Sequence, residues 1–81
     1  MRTIKQLLEL MLERQDLFFF GLCGWAELLL INDLIKEVEY RLLREYINEN
    51  KPDKTSDWIY YFEPREITPR IEWINQQIEK L

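Results

Sequence analysis

The longest run of hydrophobic positions spans residues 17–31, where fourteen of fifteen residues are apolar or glycine. Glu27 carries the one charge in that run. A large apolar side chain left in water forgoes roughly 1.5–3 kcal/mol of burial, so nearly every side of this segment requires cover. The run is too long for one strand and has no turn residue after Gly24, which favours a helix from about Gly21 onward. The pattern therefore predicts a central helix surrounded by the rest of the chain.

Two amphipathic helices flank the hydrophobic run. Thr3, followed three residues later by Gln6, predicts a capping box where the first helix begins. The second amphipathic helix starts near Ile35 and stops before Pro52, because proline cannot continue a helix. The apolar positions that define the two faces are Ile4, Leu7, Leu8, Met11 and Leu12 in the first helix, and Ile35, Val38, Leu42, Leu43, Tyr46 and Ile47 in the second.

The C-terminal part combines a polar connector, an aromatic stretch and a last helix. Residues 51–57 have the composition of a loop. Residues 58–62 are strongly aromatic and short, so we expect them to lie extended across the helices. Thr68 as N-cap and Pro69 at the first helical position predict the start of the last helix. Its apolar face is formed by Ile67, Ile71, Ile74, Ile78 and Leu81.

Chain length and composition place these elements in one small domain. A chain of 81 residues supports a single core that buries about 60% of its unfolded surface. Hydrophobic residues make up 47% and aromatic residues 14%, which leaves apolar surface for a partner or a second copy. We predict an all-α fold over residues 1–81, a small bundle of three to four helices with an extended aromatic segment packed across it. We also expect a homo-oligomer.

The charge and the cysteine content of the chain indicate its cellular compartment and the class of its binding partners. The formal net charge is −4, from 11 basic and 15 acidic residues, and no basic patch for nucleic acid is visible. The single cysteine, Cys23, suits a reducing cytoplasm. The hydrophobic run is shorter than the ~20 apolar residues of a membrane span and is flanked by Asp16 and Asp33. We therefore expect a cytoplasmic protein that binds neither membrane nor nucleic acid directly.

No residue cluster suggests catalysis. The chain has no histidine, and Ser56 lies in a loop without a neighbouring base. Glu37 and Glu39 are two residues apart on a helix and point to different sides, so we expect both to be solvated surface acids. No cluster of histidine or cysteine and no calcium-type acidic loop is present. We predict a protein that is not an enzyme and has no cofactor or metal site.

An aromatic/arginine group near the C-terminus has the composition of a binding surface. Its members are Trp58, Tyr60, Tyr61, Phe62, Arg65, Arg70 and Trp73. Aromatic and arginine side chains are enriched at interface hot spots because they bury large areas and still form hydrogen bonds. Alternatively, about half of the group, including Tyr61 and Trp73, closes the core over the helices. We predict a partner-binding surface formed by Tyr60, Phe62, Arg65, Arg70 and Trp73.

Several spaced residues follow one another in a recognisable order: Gly21-Leu22-Cys23, Glu39-Tyr40, Tyr46-Ile47, Asn50-Lys51-Pro52, Tyr61-Phe62 with Pro64, Pro69-Arg70-Ile71 and Trp73-Ile74. This order resembles a group of small proteins of unassigned role encoded by tailed phages. The resemblance covers about residues 21–80, and Lys36 and Glu66 depart from its pattern. The resemblance implies a viral accessory protein that acts inside the infected cell, and it implies no reaction.

Three functions are compatible with these features. The first is binding of a host protein or complex, as a host-takeover or anti-defence inhibitor. The second is a sponge for a small ligand such as a signalling nucleotide, with Arg65 and Arg70 on phosphate and an aromatic ring stacked on the base. The third is a homo-oligomeric structural component. We predict the first.

Overall fold

The computed structural model describes residues 1–14, 22–50 and 67–81. Over these ranges the chain forms four α-helices: α1 (Ile4–Glu13), α2 (Leu22–Ile31), α3 (Glu37–Asn50) and α4 (Ile67–Lys80). None of these helices is long and apolar enough to cross a membrane. The predicted all-α bundle is confirmed, whereas the predicted extended aromatic segment lies outside the described residues.

Helix α1 begins where the sequence predicts. Thr3 is the N-cap, with extended backbone angles of φ −76° and ψ 165°. Its Oγ1 accepts a hydrogen bond from the Gln6 N–H at 3.2 Å, and the Gln6 side chain accepts one from the Thr3 N–H at 2.8 Å. The predicted capping box is therefore confirmed. It satisfies two of the N–H groups that the start of a helix leaves without a backbone partner.

We expect the substitution Thr3→Ala to lower the free energy of unfolding by about 1 kcal/mol, because the N-cap oxygen is lost. Urea denaturation measures this change. Lys5→Ala, at an exposed position in the same turn, is the matched control and should change stability by less than about 0.5 kcal/mol. Equal stability of the Thr3→Ala variant and the wild type would show that the box contributes nothing.

The hydrophobic core receives residues from all four helices. Its buried members are Leu7, Leu8 and Met11 from α1, Trp25, Ala26 and Leu29 from α2, Ile35 from the following turn, Leu43 and Ile47 from α3, and Trp73 and Ile74 from α4. Helix α1 packs against α2, α3 and α4, and α2 packs chiefly against α3. Leu10, which lies off the predicted apolar face of α1, and Leu12 are also partly buried against the core. Helix α1 thus contacts each of the other three helices. Of the 17–31 run, which we predicted to be central, only residues 22–31 are described.

The start of α3 and the position of Val38 both differ from the prediction. Helix α3 begins at Glu37, so Ile35 is buried in the turn before it rather than in the helix. The core-facing row is formed by Glu39, Leu43 and Ile47, spaced four residues apart. Val38 lies five residues before Leu43, roughly 140° around the helix from it. The predicted core position of Val38 is therefore wrong, and its side chain is 57% exposed.

The turn between α2 and α3 closes with a Schellman motif. Asp33 has a positive φ of 57°, in the left-handed region that Asp tolerates better than most residues. The Asp33 N–H donates to the Leu30 carbonyl at 3.0 Å, and the Leu34 N–H donates to the Leu29 carbonyl at 2.9 Å. Helix α2 ends at Ile31, and Asn32 and Asp33, two residue types that favour turns, follow it. This turn fixes the backbone of Leu34, whose carbonyl oxygen takes part in the site described below.

The last helix begins two residues earlier than predicted. Helix α4 starts at Ile67, so Thr68 lies inside the first turn rather than at the N-cap. Pro69 remains in that first turn, where its missing N–H would have had no intrahelical partner. The predicted existence of this helix is confirmed, and the predicted cap residue is wrong.

Candidate functional site

The predicted partner-binding residues fall mainly outside the described residues. Tyr60, Phe62 and Arg65 lie in an undescribed range, and Arg70 belongs to α4 while its side chain is not described. For these four residues the sequence prediction stands untested. Trp73 is described: it is 7% exposed and belongs to the hydrophobic core. Its burial agrees with the alternative interpretation, in which Trp73 closes the core over the helices.

A buried carboxylate forms a well-defined polar site at the start of α3. Glu39 is 3% exposed. Arg2 donates to it from Nε to Oε2 at 2.8 Å and from Nη2 to Oε1 at 3.0 Å, which makes a bidentate guanidinium–carboxylate pair. The backbone N–H groups of Lys36 and Arg2 donate at 2.9 Å and 3.3 Å. Four hydrogen bonds thus satisfy the buried charge.

Local structure explains why an acid is buried here. Lys36 stands at the N-cap of α3, where its carbonyl accepts from the Tyr40 N–H at 2.9 Å. Glu39 is the third residue of the helix, and its side chain reaches back to the Lys36 N–H, as in one half of a capping box. The same position lies on the core-facing row with Leu43. Glu39 is therefore held at the helix start and buried at the same time, which requires a cation.

Our expectation that Glu39 is a solvated surface acid is wrong. The sequence feature that indicates burial of Glu39 is its spacing. Glu39 lies four residues before Leu43 and eight before Ile47, on the buried row of α3. Its partner, Arg2, is 37 residues away in sequence, and no pattern in a single sequence pairs two residues at that distance. Glu37 does point to another side, as predicted, and is exposed.

The ion pair controls the protonation of Glu39. Hydrogen bonds from the Arg2 side chain, followed by the Lys36 N–H, lower the pKa of the Glu39 carboxyl from 4.5 to about 2, against the opposing effect of burial. The same contact raises the pKa of Arg2. Glu39 is consequently ionised at neutral pH and is a weak base there, so it suits charge pairing better than proton transfer.

A third acceptor completes this site. The Arg2 Nη2 also donates to the carbonyl oxygen of Leu34 at 2.7 Å. An open hollow of about 440 Å³ adjoins the pair, lined by Met1, Arg2, Gln6, Lys36 and Glu39. One arginine therefore links the residues before α1, the turn after α2 and the first turn of α3.

The outer face of α3 is a second candidate site, defined here as Glu37, Val38, Arg41, Arg44, Glu45, Asn48 and Glu49, all of them exposed. The Arg41 Nη2 lies 2.7 Å from the Glu37 Oε1, an ion pair between residues four apart on the helix. Arg44 donates to the Tyr40 hydroxyl at 3.0 Å.

The C-terminal half of the outer face carries two exposed acids. Glu45 and Glu49 form no ion pair or hydrogen bond with any other residue in the described ranges, although Arg41 lies four residues before Glu45. Both acids border an open hollow of about 530 Å³ whose lining also includes Tyr40, Arg41, Arg44 and Asn48. This surface offers charges of both signs to a binding partner.

The described residues also bear on metal binding. Within residues 1–14, 22–50 and 67–81, no group of three or more histidine, cysteine, aspartate or glutamate residues is placed to hold a metal ion. The two sites described above are instead built from ion pairs and hydrogen bonds, which is chemistry suited to recognition.

Comparison of the chain with protein-family models, with curated protein sequences and with solved structures finds no match. The resemblance to small tailed-phage proteins therefore stays a prediction that rests on spaced residues.

Proposed function

We propose that this chain is a non-catalytic accessory protein that binds a host protein or complex, as a host-takeover or anti-defence inhibitor. The outer face of α3 is the proposed contact surface. The observation that carries this proposal is the exposed acidic pair Glu45 and Glu49, which has no charge partner in the described chain. The host as the source of the partner follows from the phage resemblance alone.

The charge of the outer face indicates the chemistry of the partner. Glu45 and Glu49 are four residues apart on α3, where like charges destabilise a helix by a few tenths of a kcal/mol. A cationic group placed between them would relieve this repulsion. Val38 is 57% exposed and adds an apolar contact on the same face. The proposed partner surface therefore combines basic side chains with a small apolar element.

The net charge of the chain supports the same partner chemistry. A net charge of −4 attracts a basic partner and accelerates its association, and salt weakens both effects. Binding through the outer face should accordingly weaken as ionic strength rises. The aromatic/arginine group, with Tyr60, Phe62, Arg65 and Arg70, remains a predicted second contact that the experiment below must separate from the first.

We expect the double substitution Glu45→Lys with Glu49→Lys to weaken partner binding by about tenfold, because two attractive contacts become repulsive. The partner is first captured from bacterial host lysate and purified, and its affinity is then measured by titration at low and moderate salt. Glu72→Lys with Glu79→Lys is the matched control, since both residues are exposed on α4 and each pair changes the net charge from −4 to 0.

Two results would contradict the proposed contact surface. Equal loss of binding in the α4 control would show that net charge alone matters. Wild-type binding by the α3 variant, with loss of binding by Arg65→Ala/Arg70→Ala, would assign the contact to the aromatic/arginine group. If a signalling nucleotide raises the melting temperature and no protein is captured, the small-ligand function replaces the proposed one.

A further inference from the structure

The structure assigns a guanidinium-binding socket to the Glu39 carboxylate and the Leu34 carbonyl, with Arg2 as its intramolecular ligand. The ligands of this socket are arginine side chains and small guanidinium compounds. This inference concerns the corner where α1 and α3 begin, and it does not depend on the proposed function of the outer face of α3.

The acceptors of the socket match the donors of a guanidinium group in number and arrangement. The Arg2 Nε and Nη2 donate to the two carboxylate oxygens of Glu39 at 2.8 Å and 3.0 Å. The second proton of Nη2 is directed to the Leu34 carbonyl at 2.7 Å. A planar guanidinium group can satisfy all three acceptors, whereas the compact ammonium group of lysine cannot reproduce the bidentate contact. The socket should therefore discriminate between the two kinds of cation.

Other contacts hold the socket in place without Arg2. The Schellman turn fixes Leu34, since its N–H donates to the Leu29 carbonyl at 2.9 Å. The Lys36 N–H donates to the Glu39 Oε1 at 2.9 Å, and the helical register keeps Glu39 on the buried side of α3. A socket formed in advance loses little entropy when it binds a ligand. A buried carboxylate without its cation is also unfavourable, which favours occupation.

The socket can be reached from solvent. The Arg2 side chain is 38% exposed although the Glu39 side chain beneath it is 3% exposed. The adjoining hollow of about 440 Å³ gives room for the stem of an incoming arginine. In the wild-type chain Arg2 competes as a tethered ligand, whose effective concentration is in the millimolar range or above. The empty socket is therefore best tested after Arg2 has been truncated.

The test uses Arg2→Ala, titrated with methylguanidinium at millimolar concentrations while thermal unfolding and the NMR signal of the Lys36 amide are followed. We expect a saturable rise of a few degrees in melting temperature, with a shift of the Lys36 signal over the same concentrations. Methylammonium should produce neither effect. The wild type should not respond in this range, because Arg2 occupies the socket.

Two further variants serve as controls. One tests whether the response requires the Glu39 carboxylate, and the other replaces Arg2→Ala if that variant is poorly folded. In the double variant Arg2→Ala/Glu39→Gln, the response to methylguanidinium should disappear. If Arg2→Ala does not fold at room temperature, Arg2→Lys keeps a positive charge and takes its place in the titration. A response that methylammonium matches, a response that survives Glu39→Gln, or no saturable response would each overturn the socket.

Discussion

Leu43→Ala is expected to lower the free energy of unfolding by about 2–5 kcal/mol, through lost burial and the cavity left behind. Leu43 is fully buried in the middle of α3, between Glu39 and Ile47 on the core-facing row. A chain of 81 residues is stabilised by about 4–12 kcal/mol in total. The variant should therefore lose a large part of its stability, as measured by urea denaturation.

Val38→Ala on the same helix is the matched control for this prediction. Val38 is 57% exposed, so its truncation should change stability by less than about 0.5 kcal/mol. A cost for Val38→Ala that equals or exceeds the cost for Leu43→Ala would contradict the register of α3. That register also places Glu39 on the buried row. The comparison therefore also tests whether the carboxylate of the Arg2–Glu39 ion pair lies on the buried side of α3.

Arg2→Ala is expected to destabilise the chain by about 1–3 kcal/mol at neutral pH, because it leaves the Glu39 carboxylate buried without its cation. This range lies below the 3–5 kcal/mol typical of fully buried pairs, since solvent reaches the Arg2 side chain, which is 38% exposed. Arg41→Ala breaks an ion pair whose side chains are 76% and 68% exposed, and it should cost only a few tenths of a kcal/mol. Equal costs for the two variants would contradict the burial of Glu39.

The pH dependence of this stabilisation follows from the lowered pKa of Glu39. The pKa falls from 4.5 in the unfolded chain to about 2 in the folded one, so the unfolded chain takes up a proton first as the pH drops. The stabilisation is complete above about pH 5 and is lost as the pH falls toward 2. The stability difference between wild type and Arg2→Ala should shrink over that window. A constant difference from neutral pH to pH 2 would be inconsistent with this linkage.

The sequence predicts those parts of the fold that depend on local chemistry. The capping box of Thr3 and Gln6, the break at Asn32 and Asp33, and the all-α class all follow from neighbouring residues. Such local signals determine less well the residue at which a helix begins. Helix α3 begins at Glu37 instead of Ile35, and Ile35 is buried in the turn before the helix. Val38 lies at the surface because it is roughly 140° around the helix from buried Leu43.

The polar sites were predicted less completely than the fold. The acidic residues of the outer face of α3 are exposed as their periodicity indicates. The pairing of Arg2 with Glu39 was not predicted, because it joins residues 37 positions apart and depends on how α1 packs against α3. The packing of α1 against three helices was not predicted either, because it depends on contacts between segments that are distant in sequence.

A double-mutant cycle on Arg2 and Glu39 tests most directly the claim that a buried carboxylate on α3 holds the start of α1. The free energies of unfolding of wild type, Arg2→Ala, Glu39→Gln and the double variant are measured in urea at neutral pH. We predict a coupling energy of about 1–3 kcal/mol, so that the double variant is little less stable than Arg2→Ala alone. Costs that add within about 0.5 kcal/mol would contradict the claim, because residues that do not interact behave in this way.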